Sequence, residues 1–287
     1  MSTSSDAFAL TKGQKWMAHA LLITLSLPFL LPMIWMLATS LKSDSQIFTG
    51  TRDFSIKNIF PWPLHWQNYP EALKLVPFGV YLRNTLLLCT FNVGGALLSS
   101  ATVAYGFARM NFRGREFLFW LMISTMALPA QVTMIPIFAL FKYLHWTGTY
   151  LPLIVPSFCG VPFYIFLLRQ FFMTIPEEIA EAGRIDGAGE WRLFWQLHLP
   201  LSVPALTTCA LFQFLGTWND FFGPLLYLSD PSQYTVAYGL QQFVSSYGSF
   251  WGQLMAAASI FTLPIILLFF IAQKAFIDGI STTGAKS

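Results

Sequence analysis

Long apolar runs constrain this chain more than any other feature of its sequence. A bilayer crossing needs roughly 20 mostly apolar residues, and runs of about that length recur along the chain. They lie approximately at Trp16–Thr39, Tyr81–Phe107, Phe117–Phe141, Tyr150–Phe172, Leu201–Leu228 and Leu254–Phe276. Only 10% of the residues are charged, whereas soluble domains contain about 25%. The sequence therefore predicts an all-α integral membrane protein with about six transmembrane helices.

The first run is predicted to be a membrane helix and not a signal peptide. It is too long for a signal-peptide core and lacks a clear small-residue cleavage site. Pro28 and Pro32 lie inside it, which is tolerated where neighbouring helices or water satisfy the carbonyl groups that proline leaves free. Such prolines indicate a kinked, packed bundle with an internal cavity.

The distribution of Lys and Arg between the connections predicts the orientation. An even number of spans places both termini on one side. If that side is the cytoplasm, it receives Lys12, Lys15, Arg109, Arg113, Arg115, Arg169, Arg184, Arg192, Lys274 and Lys286. The other side receives Lys142 in a short loop, and Lys42, Arg52, Lys57 and Lys74 in a long loop that weighs less. We therefore expect a multi-pass protein of the cytoplasmic (inner) membrane with both termini cytoplasmic. Residues 1–15 would form an N-terminal tail and residues 16–287 a transmembrane domain.

Other residue patterns argue against several classes of function. The net charge of +3 is small and dispersed, which does not favour a nucleic-acid partner. The four histidines lack the spacing of a metal or catalytic site. The cysteines, Cys89, Cys159 and Cys209, each lie in an apolar run and are interpreted as buried packing residues. A secondary transporter would often show an internal repeat and several intramembrane ionisable residues, and neither is clear.

An aromatic segment from about Lys42 to Phe78 connects the first two spans on the outer side. It includes the run Phe60-Pro-Trp-Pro-Leu-His-Trp-Gln-Asn-Tyr69. Trp and Tyr favour the membrane interface. The segment is therefore expected to lie on the membrane surface, either as a simple anchor or as a cap over a cavity.

The cytoplasmic segment 173–200 is predicted to form two short helices. Thr174 and Glu177 have the spacing of a capping box, and Pro176 suits a first helical turn. The first helix would run through residues 178–186, and Gly187 could end it in a left-handed conformation. The second helix would cover about 189–198 and lead to Pro200. Small residues between 180 and 189 would let another protein approach closely, although a surface hairpin that only joins two spans is the alternative.

This segment resembles the cytoplasmic coupling motif of ABC importer permeases. The resemblance rests on Glu181-Ala-Gly183, Asp186-Gly-Ala188 and Leu197-His-Leu-Pro-Leu201. The family usually has Ala at position 183 and Ile at position 197, and both departures are small. The resemblance implies that the ATPase-coupling residues are Glu178, Glu181, Ala182, Gly183, Asp186, Gly187, Ala188 and Pro200.

Three further motifs resemble the carbohydrate-uptake branch of the family, which is typified by the maltose permease. They are Trp218-Asn-Asp220, Tyr234-Thr-Val-Ala-Tyr-Gly-Leu240, and a tail with Gly279 and Gly284-Ala-Lys286 that is shorter than usual. The resemblance implies a permease that moves a neutral sugar or oligosaccharide. A permease for a polyol or glycerol phosphate, or a secondary transporter, remains an alternative. No Lys or Arg lies deep inside a predicted span, which matches a strongly anionic solute poorly.

The resemblance also implies the partners. They are a second permease subunit, two ATP-binding cassette ATPase subunits and an extracytoplasmic solute-binding protein, all assembled in the lipid bilayer. The chain has no G-x-x-x-x-G-K-[ST] phosphate loop. We therefore expect a transport subunit that is not an enzyme and has no cofactor of its own, with ATP used by the partner subunit.

A candidate solute path lies along the fifth predicted span. Asp220 is the only acidic residue well inside a predicted span, where charges are costly and usually functional. At helical spacing, Gln213, Gly216 and Asp220 share one face and Asn219 flanks it. Trp218 falls nearly opposite, so it could join the path only if the helix is kinked or broken. The alternatives are an interfacial role for Trp218 and a helix–helix polar contact for Asn219 and Asp220.

Overall fold

The computed structural model of the chain describes residues 11–49, 62–245 and 248–284. Helices α1–α4 cover Lys12–Ser40, Asp44–Thr49, Asn68–Leu75 and Phe78–Arg109, and α5–α8 cover Arg115–Thr125, Ala130–Tyr143, Leu151–Ile154 and Pro162–Thr174. Helices α9–α12 cover Glu177–Ile185, Glu190–Leu193, Leu199–Leu201 and Val203–Trp218, and α13–α15 cover Phe222–Tyr227, Val236–Gly239 and Trp251–Gly284. Strands β1 (Val244–Ser245) and β2 (Gly248–Ser249) form a short antiparallel pair, the only sheet within the described ranges.

The prediction of an all-α membrane protein is confirmed. Four segments are long and apolar enough to cross a membrane without a sharp bend, namely Lys12–Ser40, Phe78–Arg109, Leu151–Thr174 and Trp251–Ile271. The third predicted span is instead a pair, α5 and α6, bent by 97°. The fifth predicted span contains α12, which forms a bent pair with the preceding segment Glu190–Leu201 at an angle of 79°. Counting each bent pair as one span gives six spans in the described part of the chain.

Local chemistry explains why the third and fifth spans are not continuous helices. Pro129 stands at the N-cap of α6 with extended backbone, and a proline disfavours helical geometry in the residue before it. Helix α12 ends at Trp218, well before the predicted boundary at Leu228. There the Asp220 Oδ1 atom accepts a hydrogen bond of 2.9 Å from the Gly223 amide. Short polar side chains of this kind compete with the helical ladder and favour turns.

The chain divides into two compact units. Residues 1–76 and 243–260 form one, and residues 77–242 and 261–287 form the other. In the first unit, Asn68 is buried and donates to the carbonyl oxygens of Ser40 and Lys42 at 2.9 and 2.8 Å. This contact ties the aromatic outer segment to the end of α1, while Trp62 and Trp66 stay exposed.

Parts of three predicted segments fall outside the described ranges. Residues 1–10 of the N-terminal tail, residues 50–61 of the outer segment and residues 285–287 of the tail motif lie there. Helix α1 begins at Lys12, inside the predicted tail, because Thr11 and Gln14 form a reciprocal capping box.

The second unit is built around α4 and α8. The segment between α7 and α8 leaves the helical path at Gly160, which has a positive φ of 85°. Two serines of α4 bind the backbone at this break. Ser99 Oγ donates to the Ser157 carbonyl oxygen at 3.1 Å, and the Val161 amide donates to Ser100 Oγ at 3.0 Å. Non-helical backbone at membrane depth needs such internal partners.

Small side chains on α4 allow this close approach. A Cβ atom at Gly95 would lie 2.6 Å from the Phe158 ring, so the contact requires glycine. Cys89 and Cys209 are buried, as their apolar surroundings predicted, but Cys159 is exposed beside the break. The interpretation of Cys159 as a buried packing residue was therefore wrong, because the sequence does not reveal where the helix opens.

Candidate functional site

Helix α9 begins where α8 ends, but not through the predicted capping box. The N-cap of α9 is Pro176, and no side chain caps it. Thr174 still belongs to the last turn of α8, where its Oγ1 donates to the Phe171 carbonyl oxygen at 2.7 Å. The Glu177 carboxylate instead binds Arg109 and Arg184. The capping-box prediction was wrong because two arginines, one of them distant in sequence, bind that carboxylate.

The end of α9 agrees with the sequence prediction. Gly187 has a φ of +80°, the left-handed conformation that favours glycine. Its amide donates to the Arg184 carbonyl oxygen at 3.0 Å, and the Ala188 amide donates to that of Gly183 at 2.9 Å. These two bonds form a Schellman motif, which satisfies the last carbonyls of the helix. The turn between α9 and α10 is therefore fixed by its own backbone.

One face of α9 is directed toward the rest of the second unit. Ala180 is completely buried, and Glu177 and Arg184 lie on the same side at helical spacing. A Cβ atom at Gly183 would lie 2.7 Å from Leu193 Cδ2 on α10. The small size of Gly183 thus serves the contact between α9 and α10.

The opposite face of α9 is free in this chain. Glu178, Glu181, Ala182 and Ile185 have the spacing i, i+3, i+4, i+7, and all are exposed. Ile185 is 86% exposed. We call these four residues the outer face of α9.

The remaining predicted coupling residues lie near the turn or beyond it. Asp186 and Pro200 are exposed, and Ala188 is half-buried. Trp191 and Trp195 follow the turn with 65% and 50% of their surface exposed. Neither tryptophan was identified as a candidate from the sequence, although the position of both beside the coupling motif could have indicated them.

A network of charged side chains binds the hairpin of α9 and α10 to α4. Arg184 contacts Glu177 Oε1 at 2.8 Å and Glu190 Oε1 at 3.0 Å. Arg109 of α4 binds the other oxygen of Glu177. The Tyr105 hydroxyl donates to Glu190 Oε2 at 2.6 Å. Arg184 and then Arg109 hold the pKa of the Glu177 carboxyl below its usual value, so it is charged at neutral pH.

The predicted solute-path residues on α12 do not form one continuous stripe. Gln213 donates to Thr217 Oγ1 at 3.3 Å, and Asn92 of α4 donates to the same oxygen at 3.3 Å. Gly216 is exposed, and a Cβ atom there would meet nothing within 4 Å. Gln213 therefore belongs to a polar contact on α12, and Gly216 lies on an exposed part of the same helix. Asn92 was not identified from the sequence.

The other three predicted path residues lie where α12 ends. Asn219 donates to the Leu215 carbonyl oxygen at 2.8 Å, and Asp220 closes the turn onto Gly223. Trp218 is only 1% exposed, and its Nε1 donates to the Phe261 carbonyl oxygen at 3.2 Å. The helix is broken at this point, but the Trp218 ring packs inside the protein. The assignment of these residues to a solute path stays a prediction.

The motif Tyr234–Leu240 folds onto the N-terminal part of α4. Asn84 Nδ2 donates to the carbonyl oxygens of Ser232 and Tyr234 at 2.8 and 3.0 Å. The Val236 amide donates to Thr85 Oγ1 at 3.0 Å. This motif therefore has a structural role in the second unit, where it holds the connection after α13 against α4.

Comparisons with known proteins agree with these features. The family model "Binding-protein-dependent transport system inner membrane component" matches residues 96–282. The diacetylchitobiose uptake system permease protein NgcG of Streptomyces coelicolor is 31% identical, with 92% of this chain and 86% of the relative covered. The arabinooligosaccharides transport system permease protein AraQ of Bacillus subtilis is also 31% identical, with 91% of this chain and 92% of the relative covered.

Two further similarities extend the comparison. The sn-glycerol-3-phosphate transport system permease protein UgpE of Yersinia pestis is 31% identical, with 94% of this chain and 96% of the relative covered. A crystal structure of a bacterial ABC transporter involved in the import of the acidic polysaccharide alginate contains a chain with the same fold. Its TM-score is 0.78 at 23% identity, with 93% of this chain and 99% of that chain covered.

Proposed function

The chain belongs to the family of binding-protein-dependent transport system inner membrane components, and we propose that it is the permease subunit of an ATP-driven sugar importer. The solute in this proposal is a neutral sugar or oligosaccharide. Relatives named for the uptake of diacetylchitobiose and arabinooligosaccharides support this class of solute.

The observation that carries the proposal is the hairpin of α9 and α10. Its turn is closed by a Schellman motif, its inner face is bound to α4, and its outer face is free. A stiff element of this kind suits docking into a groove of an ATPase. In the proposed complex, the chain pairs with a second permease, docks two ATP-binding cassette ATPases on the cytoplasmic side, and receives solute from an extracytoplasmic binding protein. Both termini face the cytoplasm.

ATP is used by the partner in this proposal. The sequence has no phosphate loop, the usual cradle for nucleotide phosphates. The chain would therefore transmit the closure of the ATPases as a movement of its spans and would have no cofactor of its own.

The proposed solute path passes α12 near Gln213 and Gly216, with Asn219 and Asp220 at the end of the helix. Amide and carboxylate groups can bind sugar hydroxyls, and buried polar groups in a membrane need such partners. Asn92 faces the same part of α12 through Thr217. We include Asn92 in the path for this reason.

A permease for glycerol phosphate is the second candidate, because UgpE is as similar in sequence as the sugar permeases. An anionic solute would require an available cation along the spans. Arg109 is engaged by Glu177, and Arg169 binds Glu116 Oε1 at 3.2 Å and covers the Phe119 ring. These pairings occupy Arg109 and Arg169, which favours the neutral solute. Arg83, near the start of α4, is exposed and has no ion pair within the described residues, so it is the cation that an anionic solute would use.

The test is to purify the complex with its ATPases and binding protein and to reconstitute it in liposomes. We expect ATP-dependent uptake of a labelled oligosaccharide, stimulation of ATP hydrolysis by the loaded binding protein, and no photolabelling of the isolated chain by azido-ATP. Uptake of sn-glycerol 3-phosphate without uptake of sugars would favour the second candidate. Uptake without ATP would contradict both.

A further inference from the structure

We propose that Tyr105 and Arg109, in the last two turns of α4, are positioning residues that join the α9–α10 hairpin rigidly to this span. The inference rests on the proposed function, since it concerns how a movement of docked ATPases reaches the membrane. The hairpin and α4 would then move as one body.

Arg109, at the end of α4, binds the ends of two other helices at once. Its side chain is 7% exposed. Nη1 donates to the Glu177 carboxylate at the start of α9, and Nη2 donates to the carbonyl oxygens of Phe172 and Ile175 at the end of α8. The last carbonyls of a helix lack the i+4 amide partners of the helix interior, and they attract a cation. A planar guanidinium can satisfy all three acceptors together, whereas a lysine ammonium offers a single point of charge.

Tyr105, one helical turn before Arg109, binds the other helix of the hairpin. Its hydroxyl donates to Glu190 Oε2 at 2.6 Å in the first turn of α10. Its ring centroid lies 5.0 Å from that of His198 and 5.2 Å from that of Phe194. Phe194–His198 form a π-helical turn directly after α10, so Tyr105 holds both the beginning of α10 and this turn.

Arg184 completes the connection within the hairpin. It binds Glu177, which Arg109 holds, and Glu190, which Tyr105 holds. The chain of contacts Arg109–Glu177–Arg184–Glu190–Tyr105 thus begins and ends on consecutive turns of α4. Rotation of the hairpin against α4 would have to break charge-assisted bonds, which are stronger than neutral ones. The outer face of α9 takes no part in this ring and stays available to a partner.

The first experiment compares Tyr105→Phe with Tyr164→Phe in the reconstituted complex. Tyr105→Phe removes only the hydroxyl that binds Glu190 and keeps the ring. Tyr164 is a matched control, since it is also buried and its hydroxyl makes no hydrogen bond within the described residues. The readout is the amount of solute transported per ATP hydrolysed. We expect Tyr105→Phe to lower this ratio by about twofold to thirtyfold, which corresponds to a coupling change of about 0.5–2 kcal/mol, and Tyr164→Phe to leave it unchanged.

The second experiment measures rigidity directly and does not depend on activity. Spin labels are placed at Leu98 on α4 and at Ile179 on α9, both exposed and Ile179 outside the outer face of α9, with the exposed Cys159 replaced by serine. We expect one narrow distance distribution that is the same with and without ATP, and a broader one after Tyr105→Phe or Arg109→Lys. A distance that changes with nucleotide in the otherwise native chain would overturn the proposal, even if a variant fails to assemble.

The two proposals fail in different ways. If the native complex does not link ATP hydrolysis to uptake, the proposed function fails. If the native complex does so, and Tyr105→Phe transports as much solute per ATP as the native chain, only the role of Tyr105 and Arg109 is wrong. An equal fall in the solute transported per ATP for Tyr105→Phe and Tyr164→Phe would also overturn the proposed role of Tyr105 and Arg109. Such a result would indicate general damage to the packing.

Discussion

Some contacts in the second unit are too close to accept a larger side chain. Gly239, at the end of α14, faces the ring of Tyr81 on α4. A Cβ atom at position 239 would lie 2.6 Å from Tyr81 Cε2, closer than unstrained atoms approach. The Tyr81 ring is almost fully buried. Glycine at this position therefore allows the connection after α13 to close onto α4.

We predict that Gly239→Ala destabilises the permease by about 1–3 kcal/mol, the usual cost of overpacking. The measurement is the thermal unfolding midpoint of the protein in detergent. Gly79→Ala is the control, because a Cβ atom there meets nothing within 4 Å. Equal midpoints for Gly239→Ala and the native chain would contradict the close contact.

A second residue-scale prediction concerns pH. Arg184 and Arg109 lower the pKa of Glu177. Its ion pairs therefore contribute fully to the stability of the fold at a pH above 4.5, the ordinary pKa of the carboxyl group. This contribution is lost as the pH falls through the lowered pKa of the folded protein. We expect Glu177→Gln to lower the unfolding midpoint modestly at pH 7, because the carboxylate is half-exposed. The difference from the native chain should shrink below pH 4.5.

Glu178→Gln is the matched control for this measurement. Glu178 is exposed and has no ion pair within the described residues. Its replacement should leave the midpoint unchanged at both pH values. A Glu177→Gln effect that is the same at pH 7 and at pH 3.5 would show that charge is not responsible.

Among the elements, α9 has two faces with different tasks. Its inner face packs against α10 and binds the charged network, whereas its outer face is free for a partner. The neighbouring residues Ala182 and Gly183 therefore belong to different contacts. The sequence motif groups them together, but the structure separates them.

We predict different defects when each of these neighbours is enlarged. Ala182→Trp should reduce co-purification of the ATPase and abolish uptake, while the thermal midpoint of the permease alone stays native. Gly183→Leu should first lower that midpoint, because the new side chain meets Leu193. Native transport by Ala182→Trp, together with native co-purification, would refute docking through the outer face of α9.

At the scale of the whole molecule, the chain exposes apolar surface that only lipid or another membrane subunit can cover. The most apolar part of α1 contains no buried residue, and Phe29 in this helix is 84% exposed. Gly216 on α12 is exposed as well. Exposure in the isolated chain therefore does not distinguish a surface facing lipid from one facing a solute path.

Cysteine labelling can make this distinction in a chain with Cys159 replaced by serine. We predict that Gly216→Cys reacts with a water-soluble thiol reagent to an extent that depends on the nucleotide state. Phe29→Cys should react only with a lipid-soluble reagent. The buried native Cys209 serves as an unreactive reference. If position 216 is protected from the water-soluble reagent in every state, the solute path lies on other spans.

The sequence by itself determined the membrane class, four spans, the two-helix hairpin and the family. These follow from local signals, since apolar length, the Gly187 turn and a contiguous motif can all be read along the chain. The bend at Pro129 and the end of α12 at Trp218 were also encoded locally, but length and hydropathy do not distinguish a broken span from a straight one.

Only the tertiary structure decided which side chains meet. Glu177 had the spacing of a helix cap, but Arg109, 68 positions away, binds it. Trp218 belonged to a motif with Asp220, but its ring is buried against Phe261. Tyr105 gave no signal at all, because its role depends on Glu190. The free energy of such contacts depends on burial and on distances between residues far apart in sequence, and neither is determined until the helices have packed.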